Sequence, residues 1–285
     1  MRIVITGSSG FIGSYLVKKL AGNDNYDLVL LDLSLGIDIC NWEQLKSFSG
    51  FDVMIHLANR SFVPDSYKEP QSFYYTNFIS TLNALELCRI NKARFIYLSS
   101  YVYGPPDYQP INEKHPTSPF NPYSQSKLAC ESLCEGYCRD FNVPVVVFRP
   151  FNIYGLGQNG SFLIPSIIKQ AKRGNIVVRD ERPKRDYLHV NDLVRAIENS
   201  IEYEGDKGIE IFNVGFGLSY SVKQVVDLVI KLCKHKVNYN CSNEFRPDEV
   251  LDTVADISKI KDLLNWEPKI QFEKGLELVF NENAI

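Results

Sequence analysis

A glycine-rich turn close to the N-terminus limits most strongly what this chain can fold into. The apolar run Arg2–Thr6 is typical of a buried strand. It leads directly into the turn Gly7–Gly13, behind which apolar residues recur at helical spacing. Glycine permits the tight turn and lets the backbone approach a pyrophosphate, which then lies at the positive end of the helix. The spacing is GxxGxxG rather than the more familiar GxGxxG, and it predicts a strand–turn–helix unit that binds a dinucleotide.

Asp32 ends the next apolar run and indicates which dinucleotide the turn accepts. It follows Leu28–Leu31 and stands nineteen residues after Gly13. A carboxylate at this place accepts hydrogen bonds from a ribose diol and repels a 2′-phosphate, and no arginine follows within the next several residues. We therefore expect NAD(H) rather than NADP(H) as the cofactor.

Further along the chain, short runs rich in β-branched and aromatic residues alternate with helical patterns. The predicted strands are Val53–Leu57, Phe95–Leu98 and Val145–Phe148, and the predicted helices lie near Phe78–Cys88, from Tyr123 onward and over Val222–Cys233. Such alternation gives a parallel sheet with helices on both faces. We therefore expect an α/β protein, a Rossmann-type doubly wound parallel sheet with a smaller C-terminal α/β domain.

The loop-like stretch Gly155–Gly160 is expected to lead from the first domain toward the second. A chain of 285 residues is long enough for a cofactor domain and a smaller substrate domain. We place residues 1–154 and about 184–211 in the NAD-binding domain, and residues 155–183 and about 212–285 in the substrate domain.

Tyr123 and Lys127 are the strongest candidates for catalysis. The same four-residue spacing of tyrosine and lysine also occurs at Tyr15, so the spacing alone proves nothing. The pair at Tyr123 differs because it follows an apolar strand that ends in Ser99 and Ser100. At helical spacing the phenol and the ammonium share one face, which should lower the phenol pKa from about 10 and create a general acid/base.

Composition excludes several other classes of function. The net charge of −3 gives no electrostatic footprint for nucleic acid. We expect no membrane partner, because no apolar stretch of signal or membrane length leads the chain. Seven cysteines without a CxxC pair and four scattered histidines predict no metal site, and the odd thiol count indicates a reducing cytoplasm. Three of the cysteines, Cys130, Cys134 and Cys138, recur every four residues and predict a buried helix stripe.

Together these residues resemble the extended short-chain dehydrogenase/reductases, and specifically the NAD-dependent epimerase/dehydratase family, whose members act on nucleotide sugars. That family includes UDP-glucose 4-epimerases and reductases of nucleotide-linked 4-keto-6-deoxyhexoses. Besides the glycine turn and Asp32, the blocks that carry the resemblance are Asp38–Ile39, His56–Ala58, Asn77, Leu98–Gly104, Tyr123–Lys127, Arg149–Gly155, Arg185–Val190, Arg246–Pro247 and Asn265–Pro268. They follow one another across nearly the whole chain.

The resemblance implies a cofactor-binding set. The pyrophosphate would be surrounded by Gly7, Gly10, Phe11, Ile12 and Gly13. Asp32 would bind the adenosine ribose, and the adenine would lie at Asp38 and Ile39. The nicotinamide side would be lined by Leu57, Ala58 and Asn77, and Lys127 would bind the nicotinamide ribose.

It also implies a catalytic set of Ser99, Tyr123 and Lys127. Ser99, rather than Ser100, matches the family's catalytic Ser/Thr because it stands four residues before the tyrosine of Val-Tyr-Gly. The implied residues around a nucleotide-diphosphate sugar are Ser99, Ser100, Tyr123, Asn152, Arg185 and Arg246. Asn59 stands where a small alanine is common, with no role that the pattern assigns.

The resemblance implies an NAD-dependent enzyme that oxidises or reduces a nucleotide-activated hexose at its 4-position, in the supply of surface polysaccharide precursors. Tyr123 would take the proton of the sugar hydroxyl while hydride passes to nicotinamide, and Ser99 would orient that oxygen. Both a 4-epimerase and a 4-keto reductase fit, with base and sugar open. A 4,6-dehydratase is disfavoured, because such members carry Asp-Glu where this chain has Ser100 and Tyr101. A catalytically idle NAD-binding regulator would not need Ser99, Tyr123 and Lys127 together.

An assembly also follows from the resemblance. Helices that begin near Asn77 and Tyr123 are similar to those that pair across a two-fold axis in this family. We therefore expect a homodimer that is held by a four-helix bundle, since two-fold dimers are the commonest oligomers.

Overall fold

The chain forms helices and strands over most of its length. A computed structural model describes residues 1–203, 205, 208–245 and 249–282. The strands are β1 (Arg2–Thr6), β2 (Asp27–Leu31), β3 (Val53–His56), β4 (Arg94–Leu98), β5 (Val145–Pro150), β6 (Asn152–Tyr154), β7 (Asn175–Val178), β8 (Lys184–His189), β9 (Ile209–Val214), β10 (Ser219–Ser221) and β11 (Asn238–Cys241). The helices are α1 (Phe11–Leu20), α2 (Trp42–Leu45), α3 (Val63–Lys68), α4 (Pro70–Asn91), α5 (Pro122–Phe141), α6 (Leu163–Lys172), α7 (Val190–Ile201), α8 (Val222–Leu232), α9 (Ser258–Leu264) and α10 (Phe272–Glu282), with a 3-10 turn at Leu33–Leu35.

The central sheet has six parallel strands in the order β2-β1-β3-β4-β5-β9. All six strands therefore present their carboxyl ends at one edge, where Gly7 follows β1 and Ser99 follows β4. The chain runs from β1 to β2 on one side and then to β3 on the other. Such a reversal opens a crevice at the carboxyl edge, which is where open α/β sheets bind ligands.

Residues of β1 alternate between two hydrophobic clusters, one on each face of this sheet. Ile3 and Ile5 pack with residues of α1 and α7, whereas Val4 packs with residues of α4 and α5. Cys130 and Cys134 lie fully buried in the second cluster, so the predicted cysteine stripe of α5 is confirmed. Helices on both faces confirm the predicted α/β doubly wound fold.

A smaller α/β unit surrounds a third cluster, which α6, α8 and α10 build with strands of two short sheets. One sheet has the order β10-β8-β6, and the other pairs β11 with β7. β9 belongs to the central sheet up to Val214, and Trp266 beyond α9 packs into the first cluster. The division of the chain near residues 184–211 and 212–285 stays a prediction.

The fourth helix is longer than its pattern predicts. It begins at Pro70, not near Asn77, because the fixed φ of proline suits the first helical position and the absent N–H costs nothing there. The polar and aromatic first turns between Pro70 and Asn77 hide this beginning from periodicity. Among all helices of the described ranges, none has both the length and the apolar composition that spanning a bilayer demands.

Candidate active site

The turn Gly7–Gly13 forms a cradle in which a side chain at Gly7 or Gly13 would clash with the backbone. Gly7 has φ +67°, and a Cβ there would lie 2.8 Å from the Ala58 nitrogen. A Cβ on Gly13 would lie 2.1 Å from the Gly7 carbonyl oxygen. The first turn of α1, with Phe11 and Ile12, has Gly10 as N-cap and no side chain that caps it, so its amide groups face the crevice. This geometry fits a dinucleotide pyrophosphate.

Ser8 is a residue of this cradle that sequence reasoning missed. It is buried, and its hydroxyl has no hydrogen-bond partner among the described residues. A buried hydroxyl without a partner is costly, and a ligand that fills the cradle could satisfy it. Its place between Gly7 and Gly10 was the available signal.

Asp32 lies beside the cradle, as its position after β2 predicts. Its carboxylate accepts hydrogen bonds from the Ser34 nitrogen at 2.9 Å and from the Ser9 nitrogen at 3.1 Å. Partial burial would raise the pKa of Asp32, but these hydrogen bonds outweigh it and hold the pKa below its ordinary value. The carboxylate is therefore charged at neutral pH and stands at the end of the glycine turn.

The remaining predicted cofactor residues lie on the same edge of the sheet, and hydrogen bonds or packing within the protein already engage several of them. The backbone nitrogens of Leu57 and Ala58 both donate to the Thr6 hydroxyl at 3.2 Å. Ile39 packs into the second cluster, and the Asp38 carboxylate accepts from the Cys40 nitrogen at 2.8 Å. Their proposed contacts with adenine and nicotinamide stay predictions.

Asn77 uses both ends of its amide within the protein. It accepts from the Arg60 nitrogen at 2.8 Å and donates to the Ser126 hydroxyl at 2.9 Å. It therefore ties the loop after β3 to α5. A direct contact between this amide and the cofactor would have to share these bonds.

Helix α5 carries the tyrosine and the lysine, and its start is well specified. The Asn121 side chain accepts from the Ser124 nitrogen at 2.8 Å, and Pro122 occupies the first helical position. Lys127 is 2% exposed and donates from Nζ to the Leu98 carbonyl oxygen at 2.5 Å. The ammonium therefore holds the end of β4.

The two serines at the end of β4 have different contacts. The Ser99 hydroxyl donates to the Glu131 carboxylate at 2.5 Å in a buried environment. The hydroxyl that interacts with the Tyr123 phenol belongs to Ser100. The catalytic role that the Val-Tyr-Gly spacing assigns to Ser99 stays a prediction, and in this structure the Ser99 hydroxyl is held by Glu131.

The prediction that the pKa of the Tyr123 phenol falls is wrong for this structure. Burial raises the pKa of Tyr123, and the Ser100 hydroxyl opposes that rise. Burial likewise lowers the pKa of Lys127 to about 8, against the opposing charges of Cys130, Glu131 and Cys134. The lysine therefore gives up its charge more readily than an exposed one.

A buried ion pair that sequence reasoning missed stands behind the serines. Arg149 Nη2 donates to Glu131 Oε2 at 2.6 Å, and Nη1 donates to the Tyr103 hydroxyl at 3.0 Å. The side chains of Arg149 and Glu131 are 5% and 2% exposed, respectively. The signal was available, because Glu131 follows Lys127 by four residues and so lies on the same helical face.

Two of the predicted diphosphate residues, Asn152 and Arg185, lie on neighbouring strands of the three-stranded sheet. Asn152 is opposite Tyr187 in the register of β6 and β8. Arg185 pairs with Glu249 and donates to the Val250 carbonyl oxygen at 2.6 Å. Arg246 lies outside the described residues, so its placement stays a prediction.

The Tyr187 hydroxyl is buried, and none of the described residues hydrogen-bonds it. The charge of Arg185 acts on this phenol, which places the two side chains close together. Sequence reasoning missed Tyr187, although it stands only two residues after Arg185 on β8.

Asn59 and the histidines do not form a metal site. The Asn59 amide lies 3.3 Å from His56 Nε2, and burial, with the charge of Lys127, lowers the pKa of His56 to about 3. Across the described part of the chain, no group of three or more His, Cys, Asp or Glu side chains could hold a metal ion.

Comparison with known proteins identifies a matching family and similar relatives. The sequence profile of the NAD dependent epimerase/dehydratase family matches residues 3–215. The GDP-6-deoxy-D-mannose reductase of Pseudomonas aeruginosa is 30% identical, over 99% of this chain and 96% of the relative.

Two solved structures extend the likeness to the whole fold. The UDP-glucuronic acid 4-epimerase of Bacillus cereus, in complex with UDP-glucuronic acid and NAD, has 28% identity and a TM-score of 0.89, covering 99% of this chain and 98% of that one. A Pseudomonas aeruginosa structure described as RMD complexed with NADPH has 28% identity and a TM-score of 0.90, with the same coverage. Both nicotinamide dinucleotides therefore occur among the structural neighbours.

Proposed function

The chain belongs to the NAD-dependent epimerase/dehydratase family, and we propose that it is an NAD(H)-dependent enzyme that acts at the 4-position of a nucleotide-activated hexose. The observation that carries this function is the placement of the Ser100 hydroxyl at the Tyr123 phenol, with the buried Lys127 on the next turn of α5. This constellation stands at the carboxyl edge of the sheet, beside the glycine cradle and Asp32. A protein that only bound NAD would not need it.

Tyr123 exchanges the proton of the reacting sugar oxygen. When the 4-hydroxyl becomes a ketone, the hydroxyl proton moves to the Tyr123 oxygen and the hydrogen on carbon 4 leaves as hydride. Ser100 holds the same oxygen by a hydrogen bond and keeps it within reach of the phenol. Lys127 favours the phenolate by its charge and fixes the end of β4 through the Leu98 carbonyl oxygen.

NAD, when bound, supplies the hydride acceptor and, once reduced, the hydride donor. The residues that would hold it are the glycine turn with the free amides of α1, Ser8, Asp32 and the Leu57–Ala58 backbone. Lys127 would also contact the nicotinamide ribose. Asp32 supports NAD over NADP because its charge opposes a 2′-phosphate.

The nucleotide diphosphate would bind at Asn152, Tyr187 and Arg185, with Arg246 as a further proposed partner. A diphosphate suits the forked guanidinium of arginine, which offers parallel N–H donors. Arg185 already has a carboxylate partner in Glu249, so substrate would compete for its charge. In this proposal residues 1–154 and about 184–211 bind NAD, and residues 155–183 and about 212–285 bind the nucleotide sugar.

Epimerases and reductases both occur among the relatives, and the proposed chemistry covers both forms. A dehydratase is disfavoured, since no Asp-Glu pair follows either serine and the Tyr101 hydroxyl donates to the Gly104 carbonyl oxygen at 2.5 Å. The deciding experiment incubates the protein with a panel of nucleotide sugars, with and without NADH. Net oxidation of NADH identifies a reductase, and isomerisation without net redox change identifies an epimerase. No conversion of any member would contradict the proposed function.

We also propose a homodimer that is formed through α4 and α5. Tyr74, Tyr75 and Phe78 are 40%, 59% and 37% exposed, respectively, and lie on α4 around a shallow apolar cavity of about 310 Å³. Ile79 and Ala129 complete its apolar lining. Large aromatic side chains on one exposed face support a contact with a second copy, because monomers rarely leave such patches open.

The enzyme is proposed to work in the cytoplasm, where its product would serve as a precursor of a surface polysaccharide. All seven cysteines are free thiols, which supports a reducing compartment. Fractionation of cells that produce the protein, followed by assay of the fractions with the converted nucleotide sugar, tests the location.

A further inference from the structure

We propose that Glu131 is a positioning residue, whose carboxylate holds Ser99 and Arg149 and thereby keeps the neighbouring Ser100 hydroxyl aimed at Tyr123. The inference rests on the proposed function, because that function assigns Ser100 and Tyr123 to the reacting oxygen. Glu131 itself touches neither substrate nor cofactor in this proposal.

The carboxylate joins three elements at one buried point. Glu131 lies on α5, one turn after Lys127 and two turns after Tyr123. Its Oε1 accepts from the Ser99 hydroxyl at 2.5 Å, at the end of β4. Both of its oxygens accept from Arg149 Nε at 3.1 Å, near the end of β5. The helix that carries the phenol and the strand end that carries Ser100 are therefore fixed to each other through one side chain.

The hydrogen-bond network of Glu131 extends beyond Arg149 to other elements of the fold. The Tyr103 hydroxyl, which accepts from Arg149, donates to Asn213 Oδ1 at 2.6 Å. Asn213 lies in β9, and its Nδ2 donates to the Ile111 carbonyl oxygen at 2.8 Å. The segment between Ser100 and Ile111 is thus held at both ends by buried hydrogen bonds that trace back to Glu131.

Burying the ion pair of Arg149 and Glu131 costs free energy of solvation. Stability alone therefore does not explain why the chain has this pair. Two charges that leave water recover their solvation only with complete pairing, and apolar side chains of similar volume often stabilise as well or better. What the ion pair provides and apolar residues do not is a fixed direction for Ser99. That direction sets where the next residue, Ser100, points.

Glu131 also acts on the ammonium one turn before it. The groups that face Lys127 are Tyr97 from β4, His56 from β3, and Cys130, Glu131 and Cys134 from α5. Among them Cys130, Glu131 and Cys134 oppose the fall of the Lys127 pKa that burial causes, and the carboxyl group of this set belongs to Glu131. Its removal should lower the pKa of Lys127 and weaken the support for a phenolate.

The test uses Ser99→Ala, Glu131→Gln and the double variant in the full-length protein, with the exposed Glu135→Gln on the same helix as the matched control. Ser99→Ala leaves the ion pair intact, so it tests the proposal even if Glu131→Gln folds poorly. We expect kcat to fall about tenfold in both single variants, with KM and the NAD dissociation constant changed by less than about threefold. The double variant should be no worse than Glu131→Gln, because both changes break one connection.

A second readout does not depend on turnover. The Tyr123 ring carbon Cζ, followed by 13C NMR and assigned with Tyr123→Phe, reports the phenol titration. Loss of the Ser100 contact should raise the Tyr123 pKa in Ser99→Ala and Glu131→Gln but not in Glu135→Gln. Unchanged titration in both variants, additive losses of kcat, or equal loss of kcat and NAD affinity would overturn the positioning role. If the wild-type protein converts no nucleotide sugar, the proposed function fails, while the titration still decides whether Glu131 aims Ser100 at Tyr123.

Discussion

The Ser99 hydroxyl donates a 2.5 Å hydrogen bond to the buried Glu131 carboxylate, so its proton is engaged within the protein. Ser99 is 2% exposed, whereas Ser100 is half-buried and meets the Tyr123 phenol. A hydroxyl that orients a sugar oxygen must be free to reach it. We therefore expect the adjacent serines to divide two tasks, one structural and one at the reacting oxygen.

This division predicts unequal effects of removing the two hydroxyls. Ser100→Ala should lower kcat about 10²- to 10³-fold, because it removes a hydrogen bond to the oxygen whose charge changes in the reaction. Ser99→Ala should lower kcat only about tenfold, through the position of its neighbour. Steady-state kinetics on the converted nucleotide sugar checks this order. A larger loss in Ser99→Ala would restore the assignment that the Val-Tyr-Gly spacing predicts.

Tyr123→Phe should abolish turnover and leave NAD binding nearly intact. The phenol supplies the proton exchange, and general acid/base help is typically worth about 10²–10⁴-fold. The ring remains, so the packing of α5 should not change. Single-turnover kinetics and calorimetric titration with NAD separate the two effects. Full activity in this variant would remove Tyr123 from the mechanism.

The activity should fall on the alkaline side as Lys127 loses its proton. Burial lowers the pKa of Lys127 to about 8, so the ammonium that favours the phenolate is present below this pH and is lost above it. We expect kcat/KM, which reports groups of the free enzyme, to decline above about pH 8. Lys127→Arg keeps a cation with a pKa above about 12, so any remaining activity should lose this decline. A decline that persists in Lys127→Arg belongs to another group.

The proposed dimer should depend on the exposed aromatic face of α4. Tyr75→Glu with Phe78→Glu places two charges in the contact and should give a monomer in light scattering at micromolar concentration. Leu263→Glu on α9 is the matched control, because Leu263 is 46% exposed and lies away from α4 and α5. A wild-type monomer would contradict the dimer and leave the catalytic assignment untouched.

The alternation of strands and helices, the glycine turn and the helix of Tyr123 and Lys127 could be predicted because each depends on local pattern. A glycine turn between a strand and a helix, or two residues four apart on a helix, is specified by neighbours in sequence. The start of α4 at Pro70 could not be predicted so well, since its first turns carry no apolar periodicity.

The orientation of Ser99 and Ser100 needed the tertiary structure. Both serines are chemically alike, and the choice depends on where β4 ends and on the position of Glu131, which lies 32 residues away in the chain. The pKa of Tyr123 likewise depends on burial that a helical spacing does not reveal. The sequence therefore points to both serines and to Tyr123, whereas long-range packing decides which serine Glu131 holds and how the phenol titrates.

Cofactor choice gives a prediction that rests on one carboxylate. Asp32 should make the protein prefer NAD(H), because it is charged, stands beside the glycine cradle and would repel the extra phosphate of NADP(H). Asp32→Asn with Leu33→Arg removes the charge, keeps one acceptor oxygen for either the Ser34 or the Ser9 nitrogen, and adds a cation at a site that is 73% exposed. The preference should narrow or reverse by about 1–3 kcal/mol, from a lost charge-assisted hydrogen bond and a gained phosphate contact. Leu33→Arg alone is the control and should gain NADP(H) affinity only weakly, since the carboxylate still opposes it. Dissociation constants for both cofactors decide the matter, and a wild-type preference for NADP(H) would show that Asp32 does not face the ribose.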